Sequence, residues 1–365
     1  MKIANIETIR LDIPFDDGGK GEGLTPGRWN NLEMLLVRID TDAGLTGWGE
    51  CFGYFCADAV EAFLHRSVIP LLKGADATDP AAISLELQRR LALFGRYGIS
   101  IFALSGIDIA LWDLRGKAEG KPLHILLGGA GQDGSVQAYA SLVRYGDPDL
   151  AAKFTARAYA EGYRHIKLHE INRRDIAACN ATRGDAELMV DVNCAWDQAE
   201  AIEMAHWLES LGTFWLEEPT FPPEDNGQLS RLKSAVPGLA LSGGENLCTA
   251  WQFQLLIESG AIRYPQPSVT KLGGISEFLK VMKAAEDAGL GVMPHSPYFG
   301  PGYLATLQLC AVLGEGSLFE YLYVRPDAWL FDGMPVPDAG RIAVPDGPGL
   351  GFDPDPEVIA RYRAA

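Results

Sequence analysis

The sequence predicts an α/β protein in which a TIM-like (β/α)7β barrel follows an N-terminal α+β domain. The chain has 365 residues, within the range of roughly 200 to 400 that such barrels span. From Val136 onwards, short strand-like runs alternate with helical segments, as in a βα repeat. Three of these runs end in an acidic residue, at Asp191, Glu217 and Glu245. Since the C-terminal ends of parallel barrel strands meet at one rim, the three acids are expected to lie together.

The first 128 residues predict the α+β domain. Alternating apolar residues at 9–13 indicate a half-buried strand, and residues 35–50 indicate a hairpin. Helical patterns follow at about 58–72, 80–94 and 99–118. The stretches 15–31 and 51–55 have no periodicity and are expected to be loops.

Residues 129–323 predict the barrel. Its strands are expected at 136–141, 164–169, 187–192, 213–217, 239–244, 262–267, 291–295 and 317–320, with helices between them. Residues 324–365 are rich in proline, glycine and aspartate and contain no further βα unit. We expect this C-terminal segment to run back and pack on the first domain.

Composition limits the classes of partner. The chain carries 31 Lys and Arg against 48 Asp and Glu, a net charge of −17, and has no basic stripe, which argues against nucleic-acid binding. Its six cysteines form no CxxC pair, which indicates reduced thiols. The sequence shows neither a signal peptide nor an apolar run long enough to span a membrane. We therefore expect a cytoplasmic protein that does not enter the membrane. The many aromatic residues expected at its surface favour a homo-oligomer.

The three strand-end acids predict a metal site. Three carboxylates at one rim repel one another unless a cation lies among them. Oxygen ligands without Cys or His suit Mg²⁺ better than Zn²⁺. The alternative is that each acid caps the helix that follows its strand, which is common for a single acid but less so for three at one register.

A second strand end predicts an acid–base group. Alternation along residues 164–169 places Lys167 and His169 on one face. A lysine beside a metal and another basic group has a lowered pKa and can act as a base near neutral pH. The alternative is that Lys167 only pairs with the carboxylates and has a structural role.

The remaining strand ends complete a candidate site. His295 ends the seventh strand, across the barrel from Lys167 and His169. Glu320 ends the eighth strand, and it either donates a hydrogen bond when protonated or caps a helix. Asn193 and Lys271 lie where they can contact the acids or a substrate. Together these groups predict removal of the proton next to the carboxylate of a small-molecule substrate, through an enediolate that Mg²⁺ stabilises.

The motifs that carry these residues resemble the enolase superfamily, in particular its mandelate racemase-like branch. They are Asp191-Val-Asn193, Trp215-Leu-Glu217-Glu218-Pro219, Gly243-Gly244-Glu245-Asn246, Lys271-Leu-Gly273-Gly274, His295 and, in the first domain, Gly47-Trp48-Gly49-Glu50 and 105–113. The resemblance implies Mg²⁺ at Asp191, Glu217 and Glu245, with a Lys or His base. It also implies that the first domain caps the barrel and that the loops 15–31 and 51–55 choose the substrate. Candidate substrate contacts in these loops are Arg28, Trp29 and Tyr54.

Two departures from the family pattern bear on the reaction. His169 stands where the family commonly has a second lysine, and Ser268 stands where the partner of the strand-seven histidine is normally an aspartate. A serine orients His295 but does not stabilise its charged form, so His295 is expected to be a weak base. This favours dehydration of a sugar acid to a 2-keto-3-deoxy acid, with Lys167 and His169 as the base unit and His295 as the acid. The alternatives are a racemase, epimerase or cycloisomerase of another carboxylate, and a binding barrel that has lost catalysis.

Overall fold

The computed structural model describes residues 1–19, 29–129 and 134–364, and its chain begins with an antiparallel sheet. Strand β1 (Ile3–Asp16) pairs with β2 (Asn31–Thr41), which pairs with β3 (Thr46–Cys51). Strand β1 extends into the stretch expected to be a loop, so the irregular part begins after Asp16. A Cβ at Gly49 of β3 would lie 1.9 Å from the carbonyl oxygen of Gly106, and glycine therefore allows this sheet to pack closely on a helix.

Helices cover one face of this sheet. They are α1 (Ala57–Phe63), α2 (Ile69–Leu72), α3 (Pro80–Arg90), α4 (Ile99–Glu119) and α5 (Leu123–Leu126). A π-helical turn, Leu64–Val68, joins α1 to α2 and interrupts the single helix expected at 58–72. Asp79 accepts a hydrogen bond from Ala82 N and Pro80 follows it, which explains where α3 begins. Helix α4 is buried along most of its length because it packs on β3 and on a barrel helix.

Strands and helices then alternate as the sequence predicts. The strands are β4 (Ser135–Ser141), β5 (His165–Leu168), β6 (Glu187–Asp191), β7 (Trp215–Glu217), β8 (Leu241–Gly243), β9 (Tyr264–Pro265) and β10 (Leu318–Leu322). The helices between them are α6 (Pro148–Ala160), α7 (Arg173–Thr182), α8 (Gln198–Ser210), α9 (Asn226–Ala235), α10 (Ala250–Glu258), α11 (Ile275–Asp287) and α12 (Pro301–Leu313). The parallel strand order β10-β4-β5-β6-β7-β8-β9 places β10 beside β4.

The expected seventh strand is not a regular strand. Within 291–295, Met293 N donates to Pro265 O at 3.0 Å and His295 N donates to Pro267 O at 3.2 Å, so the segment runs beside β9. Pro265, Pro267 and Pro294 have no N–H to donate, which explains why the ladder is incomplete here and why β9 has only two residues. With this segment counted, eight strand positions and seven intervening helices match the predicted (β/α)7β order.

The C-terminal segment contacts both parts of the molecule. Strand β11 (Arg325–Pro326) pairs with the end of β1, and Ala364 N, just after α13 (Pro356–Tyr362), donates to Arg10 O at 2.9 Å. Strand β12 (Arg341–Ala343), however, pairs with β4 of the barrel. The expectation that this segment packs on the first domain is therefore incomplete. The domain boundaries at 128 and 323 stay a prediction.

Two further expectations concern cysteines and the membrane. All six cysteines are free thiols, and Cys51, Cys179, Cys248 and Cys310 are buried. None of the helices in the described ranges is long and apolar enough to cross a bilayer.

Candidate active site and metal centre

The three predicted metal ligands meet at the C-terminal rim of the barrel. Asp191 and Glu217 end the paired strands β6 and β7 and face each other in register, and Glu245 lies two residues beyond β8. One carboxylate oxygen of each lies within 4.8 Å of the others. Asp191 and Glu217 are completely buried and Glu245 is partly buried. Three converging hard oxygen donors in a sheltered position fit a divalent cation such as Mg²⁺.

Neighbouring groups fix the orientation of this carboxylate triad. The indole Nε1 of Trp215 donates to Glu217 Oε2 at 3.0 Å, and the backbone N of Asn193 donates to Asp191 Oδ1 at 2.9 Å. Burial and the nearby charge of Asp191 raise the pKa of Glu217 well above its ordinary value. The triad therefore concentrates negative charge that a bound cation would relieve.

Lys167 lies beneath the triad among carboxylates. Its Nζ is 3.3 Å from Asp191 Oδ2, 3.2 Å from Glu217 Oε1 and 2.8 Å from Glu320 Oε1, and its side chain is 1% exposed. Burial alone would lower the pKa of Lys167, but Glu217, Glu320 and Asp191 raise it well above its ordinary value. The expected lowering of this pKa assumed a metal ion beside Lys167, and it stays a prediction.

His169 shares a face with Lys167, as the alternation predicts. Its Nε2 is 3.2 Å from Asp191 Oδ2, and its Nδ1 hydrogen-bonds to Leu142 O. Since a carbonyl oxygen can only accept, Nδ1 donates this bond, and Nε2 is the ring nitrogen that faces Asp191.

His295 is held by the serine that replaces an acid in the family pattern. Its Nδ1 is 3.2 Å from Ser268 Oγ, and its Nε2 is 3.1 Å from Glu245 Oε2. Ser268 also hydrogen-bonds to the hydroxyl of Tyr298. Burial lowers the pKa of His295, although Glu245 and Glu320 act in the opposite direction. The expectation that His295 is a weak base stays a prediction.

Glu320 is an acceptor in this arrangement. Its Oε1 accepts from Ser141 Oγ at 2.8 Å, and its Oε2 accepts from Ser296 N at 2.7 Å. Burial would raise the pKa of Glu320, but Lys167 and His295 lower it below its ordinary range. These contacts therefore do not support the suggestion that a protonated Glu320 donates a hydrogen bond. Glu320 does not cap a helix either.

A cavity of about 680 Å³ opens above the triad. His169, Asn193, Lys271 and His295 line it, together with Trp29 and Tyr54 from the first domain. Ser268 is completely buried behind His295 and is not among the lining residues, so it supports a histidine rather than contacting a substrate directly. Arg28 lies outside the described residues.

Two family models match this chain. The enolase C-terminal domain-like model matches residues 149–358, more than half of the chain. The model of the mandelate racemase/muconate lactonizing enzyme N-terminal domain matches residues 26–128.

The chain belongs to the mandelate racemase/muconate lactonizing enzyme family of the enolase superfamily. The resemblance that its motifs indicated is confirmed.

Characterised relatives of this family member are named as dehydratases and cycloisomerases. An arabinonate dehydratase of Saccharolobus solfataricus is 30% identical over 344 residues, covering 91% of each chain. A 3,6-anhydro-alpha-L-galactonate cycloisomerase of Streptomyces coelicolor is 31% identical over 369 residues, covering 98% of this chain and 99% of the relative. The crystal structure of a racemase from Streptomyces coelicolor A3(2) with bound magnesium has a TM-score of 0.86 at 29% identity, covering 99% of this chain and 100% of that one. The chain is therefore an enzyme, and lyase and isomerase activities both fit its relatives.

Sequence reasoning missed three side chains that support the site of this mandelate racemase-family enzyme. Arg144 Nε donates to His169 O at 2.6 Å, and Asn246 Nδ2 donates to Glu245 Oε1 at 3.2 Å. Tyr298 contacts Ser268. Arg144 and Asn246 each follow a strand end closely, so the search that found the triad could have found them. Tyr298 lies in an irregular loop and left no comparable signal.

Proposed function

We propose that the enzyme removes the proton next to a substrate carboxylate with Mg²⁺ as cofactor, and that it dehydrates a sugar acid to a 2-keto-3-deoxy acid. The observation that carries this proposal is that one histidine contacts Asp191 and another contacts Glu245 of the carboxylate triad. His169 Nε2 lies 3.2 Å from Asp191, and His295 Nε2 lies 3.1 Å from Glu245. Both histidines line the cavity in which a substrate would bind.

Asp191, Glu217 and Glu245 are the proposed Mg²⁺ ligands. When bound, Mg²⁺ supplies positive charge that stabilises the negative charge left on the substrate as its α-proton departs. Glu217 is preferred over Glu218 because an oxygen of Glu217 lies within 4.8 Å of oxygens of Asp191 and Glu245. Lys271 Nζ, 4.0 Å from Glu245 Oε1, adds a cation beside the triad.

His169 is the proposed base, and Lys167 the group that holds the carboxylates in place. An ammonium has three N–H donors, and Lys167 has one carboxylate within reach of each. These three contacts occupy Nζ, and Lys167 is not among the residues that line the cavity. His169 lines the cavity and has Nε2 free of the carbonyl contact that occupies Nδ1.

His295 is the proposed acid for the leaving group. The α C–H bond breaks as the proton passes to His169, and the bond from the β-carbon to its hydroxyl breaks as His295 donates a proton to form water. The resulting enol becomes the 2-keto-3-deoxy acid. The arabinonate dehydratase among the relatives supports this reaction type.

Cycloisomerisation is the second candidate, because a relative of similar identity carries that name. It uses the same α-proton removal, but the leaving oxygen belongs to the ring of the substrate, so no water is lost. The mass of the product distinguishes the two reactions.

The first test is proton NMR of the enzyme with Mg²⁺ in D₂O, against aldonic and aldaric acids, their lactones and mandelate-like acids. We expect a 2-keto-3-deoxy product that is one water lighter than its substrate. A product of unchanged mass indicates cycloisomerisation. Exchange of the α-proton without any product indicates a racemase or epimerase and contradicts dehydration. No exchange with any acid contradicts the proposed proton removal.

The metal ligands are tested by a matched pair of variants. We expect Glu217→Gln to abolish Mg²⁺ binding measured by calorimetry, because it removes a ligand charge. Glu218→Gln, the adjacent buried acid, is expected to retain Mg²⁺ binding with an affinity within about tenfold of the wild type. Equal losses in the two variants would contradict the assignment of Glu217 as the ligand.

A further inference from the structure

Three buried side chains behind the cavity form one chain of hydrogen bonds. Ser268 Oγ is 3.2 Å from His295 Nδ1, and it also hydrogen-bonds to the hydroxyl of Tyr298. Ser268 is completely buried and Tyr298 is 2% exposed. The rings of His295 and Tyr298 meet edge to face, with centroids 6.1 Å apart. We call the chain of Tyr298, Ser268 and His295 the hydroxyl relay.

The hydroxyl relay can run in two directions, because the Ser268 hydroxyl has one proton to donate. If Tyr298 donates to Ser268, then Ser268 donates to His295 Nδ1, and a neutral imidazole carries its proton on Nε2. If Ser268 donates to Tyr298, it accepts from Nδ1 instead, and the neutral imidazole has a lone pair on Nε2. The contact made by Nε2 therefore distinguishes the two directions.

Glu245 favours the first direction. Its Oε2 lies 3.1 Å from His295 Nε2. An ionised carboxylate can only accept a hydrogen bond, whether or not it binds a cation. A lone pair on Nε2 would therefore face an oxygen lone pair and form no bond, whereas a proton on Nε2 forms a charge-assisted hydrogen bond. The relay thus runs from Tyr298 through Ser268 to His295 Nδ1.

His169 is held in the opposite way. Its Nδ1 bonds to Leu142 O, which can only accept, so a neutral His169 keeps its proton on Nδ1 and its lone pair on Nε2. His169 and His295 both line the cavity. In their neutral forms, one histidine therefore has a lone pair on Nε2 and the other has a proton there.

We propose that Tyr298 and Ser268 are positioning residues that hold neutral His295 in the tautomer with its proton on Nε2, so that His169 alone removes the α-proton. Removal from one face of the substrate follows, and of two acids that are epimers at the α-carbon only one should react. This inference rests on the proposed function, since it uses the assignment of His169 as the base.

The first test reads the tautomer directly and needs no substrate. The Mg²⁺-loaded enzyme is labelled with ¹⁵N-histidine and studied at pH 8, above the ordinary histidine pKa of about 6.5. A protonated ring nitrogen and one with a lone pair differ clearly in ¹⁵N shift, and correlation to the ring C–H protons tells Nε2 from Nδ1. The signals of His295 are those missing in His295→Asn. We expect a proton on Nε2 and none on Nδ1. A proton on Nδ1, alone or together with one on Nε2, overturns the proposal.

A pair of variants of equal size tests the role of Ser268. In Ser268→Asn the side-chain amide can accept from Tyr298 and donate to His295 Nδ1, so we expect the wild-type tautomer. In Ser268→Asp the carboxylate can only accept, so the proton should move to Nδ1. The proposal is overturned when Ser268→Asp keeps the wild-type tautomer or when Ser268→Asn moves the proton in the same way.

The role of Tyr298 is tested by removing its hydroxyl. In Tyr298→Phe the Ser268 hydroxyl loses its donor and can also accept from Nδ1, so we expect the two ¹⁵N shifts of His295 to move closer together. Tyr303→Phe is the control, because it removes a buried hydroxyl that donates to Pro335 O at 2.8 Å. It should leave both shifts as in the wild type. Unchanged shifts in Tyr298→Phe, or equal changes in both variants, overturn the role of Tyr298.

The consequence for the reaction is measured with aldonic acids that are epimers at the α-carbon, such as galactonate and talonate. With Mg²⁺ in D₂O, we expect the wild type to exchange or eliminate the α-proton of one epimer at least about 10²-fold faster than that of the other. Ser268→Asp should narrow this ratio by about tenfold or more, because Nε2 of His295 then has a lone pair. Similar rates for both epimers in the wild type overturn the proposal. Failure of the proposed function appears separately, as no exchange with any acid, and does not alter the tautomer expected for His295.

Discussion

His295 has a different neighbour at each of its two ring nitrogens. It is buried, and the group that supports its Nδ1 is the neutral hydroxyl of Ser268, at 3.2 Å. Burial lowers the pKa of His295, so its proton is given up readily once the ring is charged. His169 Nε2, at the other end of the triad, contacts the carboxylate of Asp191, as His295 Nε2 contacts that of Glu245. The two histidines therefore differ at Nδ1, where His169 bonds to a backbone carbonyl and His295 to a serine hydroxyl.

Replacing His295 should separate the two halves of the reaction. We expect His295→Asn to reduce product formation by about 10²- to 10⁴-fold, because the leaving group loses its acid. Exchange of the substrate α-proton in D₂O should continue, since His169 remains. Proton NMR follows both processes in one sample. His206→Asn, at an exposed position of α8, is the control and should match the wild type. Full dehydration in His295→Asn would contradict the assigned role.

Helix α12 shows how one side chain of the first domain supports the barrel. The helix has no capping side chain at its own N-terminus, and Glu50 of β3 accepts a hydrogen bond from Gly302 N at 2.8 Å. A Cβ at Gly300 would lie 2.6 Å from Glu50 Oε2, so glycine is needed for this close approach. Burial raises the pKa of Glu50 from 4.5 to about 7, although the bond from Gly302 acts against this.

This raised pKa predicts a pH-dependent stability. Neutral Glu50 contributes stability that is fully present below about pH 4.5 and is lost as the pH rises through about 7, since the buried carboxyl must then ionise. Glu50→Gln stays neutral, so between pH 5 and 8.5 it should gain roughly 2–3 kcal/mol in free energy of unfolding relative to the wild type. Urea unfolding at several pH values measures this difference.

The control is Glu86→Gln, which changes a 53% exposed glutamate of α3. Its stability should follow that of the wild type at every pH. A constant difference between Glu50→Gln and the wild type across this range would show that Glu50 does not titrate near pH 7.

The first domain and the barrel are joined through a buried polar network. Ser276 Oγ of α11 donates to Asp108 Oδ2 at 2.5 Å and accepts from Trp112 Nε1 at 2.9 Å, and both partners belong to α4. Ser276 N also donates to Asp108 Oδ1 at 2.9 Å. Together with β11 and β12, which pair with strands of both parts, this network should make the molecule unfold as one unit.

Removing the shared hydroxyl tests that cooperativity. We expect Ser276→Ala to lower the free energy of unfolding by roughly 2–4 kcal/mol, because two buried partners lose a hydrogen bond. Scanning calorimetry should show one transition in the variant and in the wild type. Ser234→Ala, which removes an exposed hydroxyl of α9, is the control. Two separate transitions, of which Ser276→Ala shifts one, would contradict a single cooperative unit.

The homo-oligomeric state and cytoplasmic location stay predictions.

The sequence by itself determined the order of the elements and the rim at which Asp191, Glu217 and Glu245 meet. Strand periodicity and parallel βα order are local properties, and they place the ends of successive strands on one side without further information. The contact between His295 and Ser268 was predictable in the same way, because the two residues lie at the ends of neighbouring strands.

Only the tertiary structure decided the surroundings of these side chains. Lys167 has a raised pKa because three carboxylates from three other strands converge on it. The seventh strand is irregular because prolines on two neighbouring segments remove donors from the same ladder. One row of rings along the cavity is formed by Trp29, Tyr54, Phe52 and Phe102. Such features depend on side chains that are far apart in the chain, so periodicity and spacing along the sequence do not encode them.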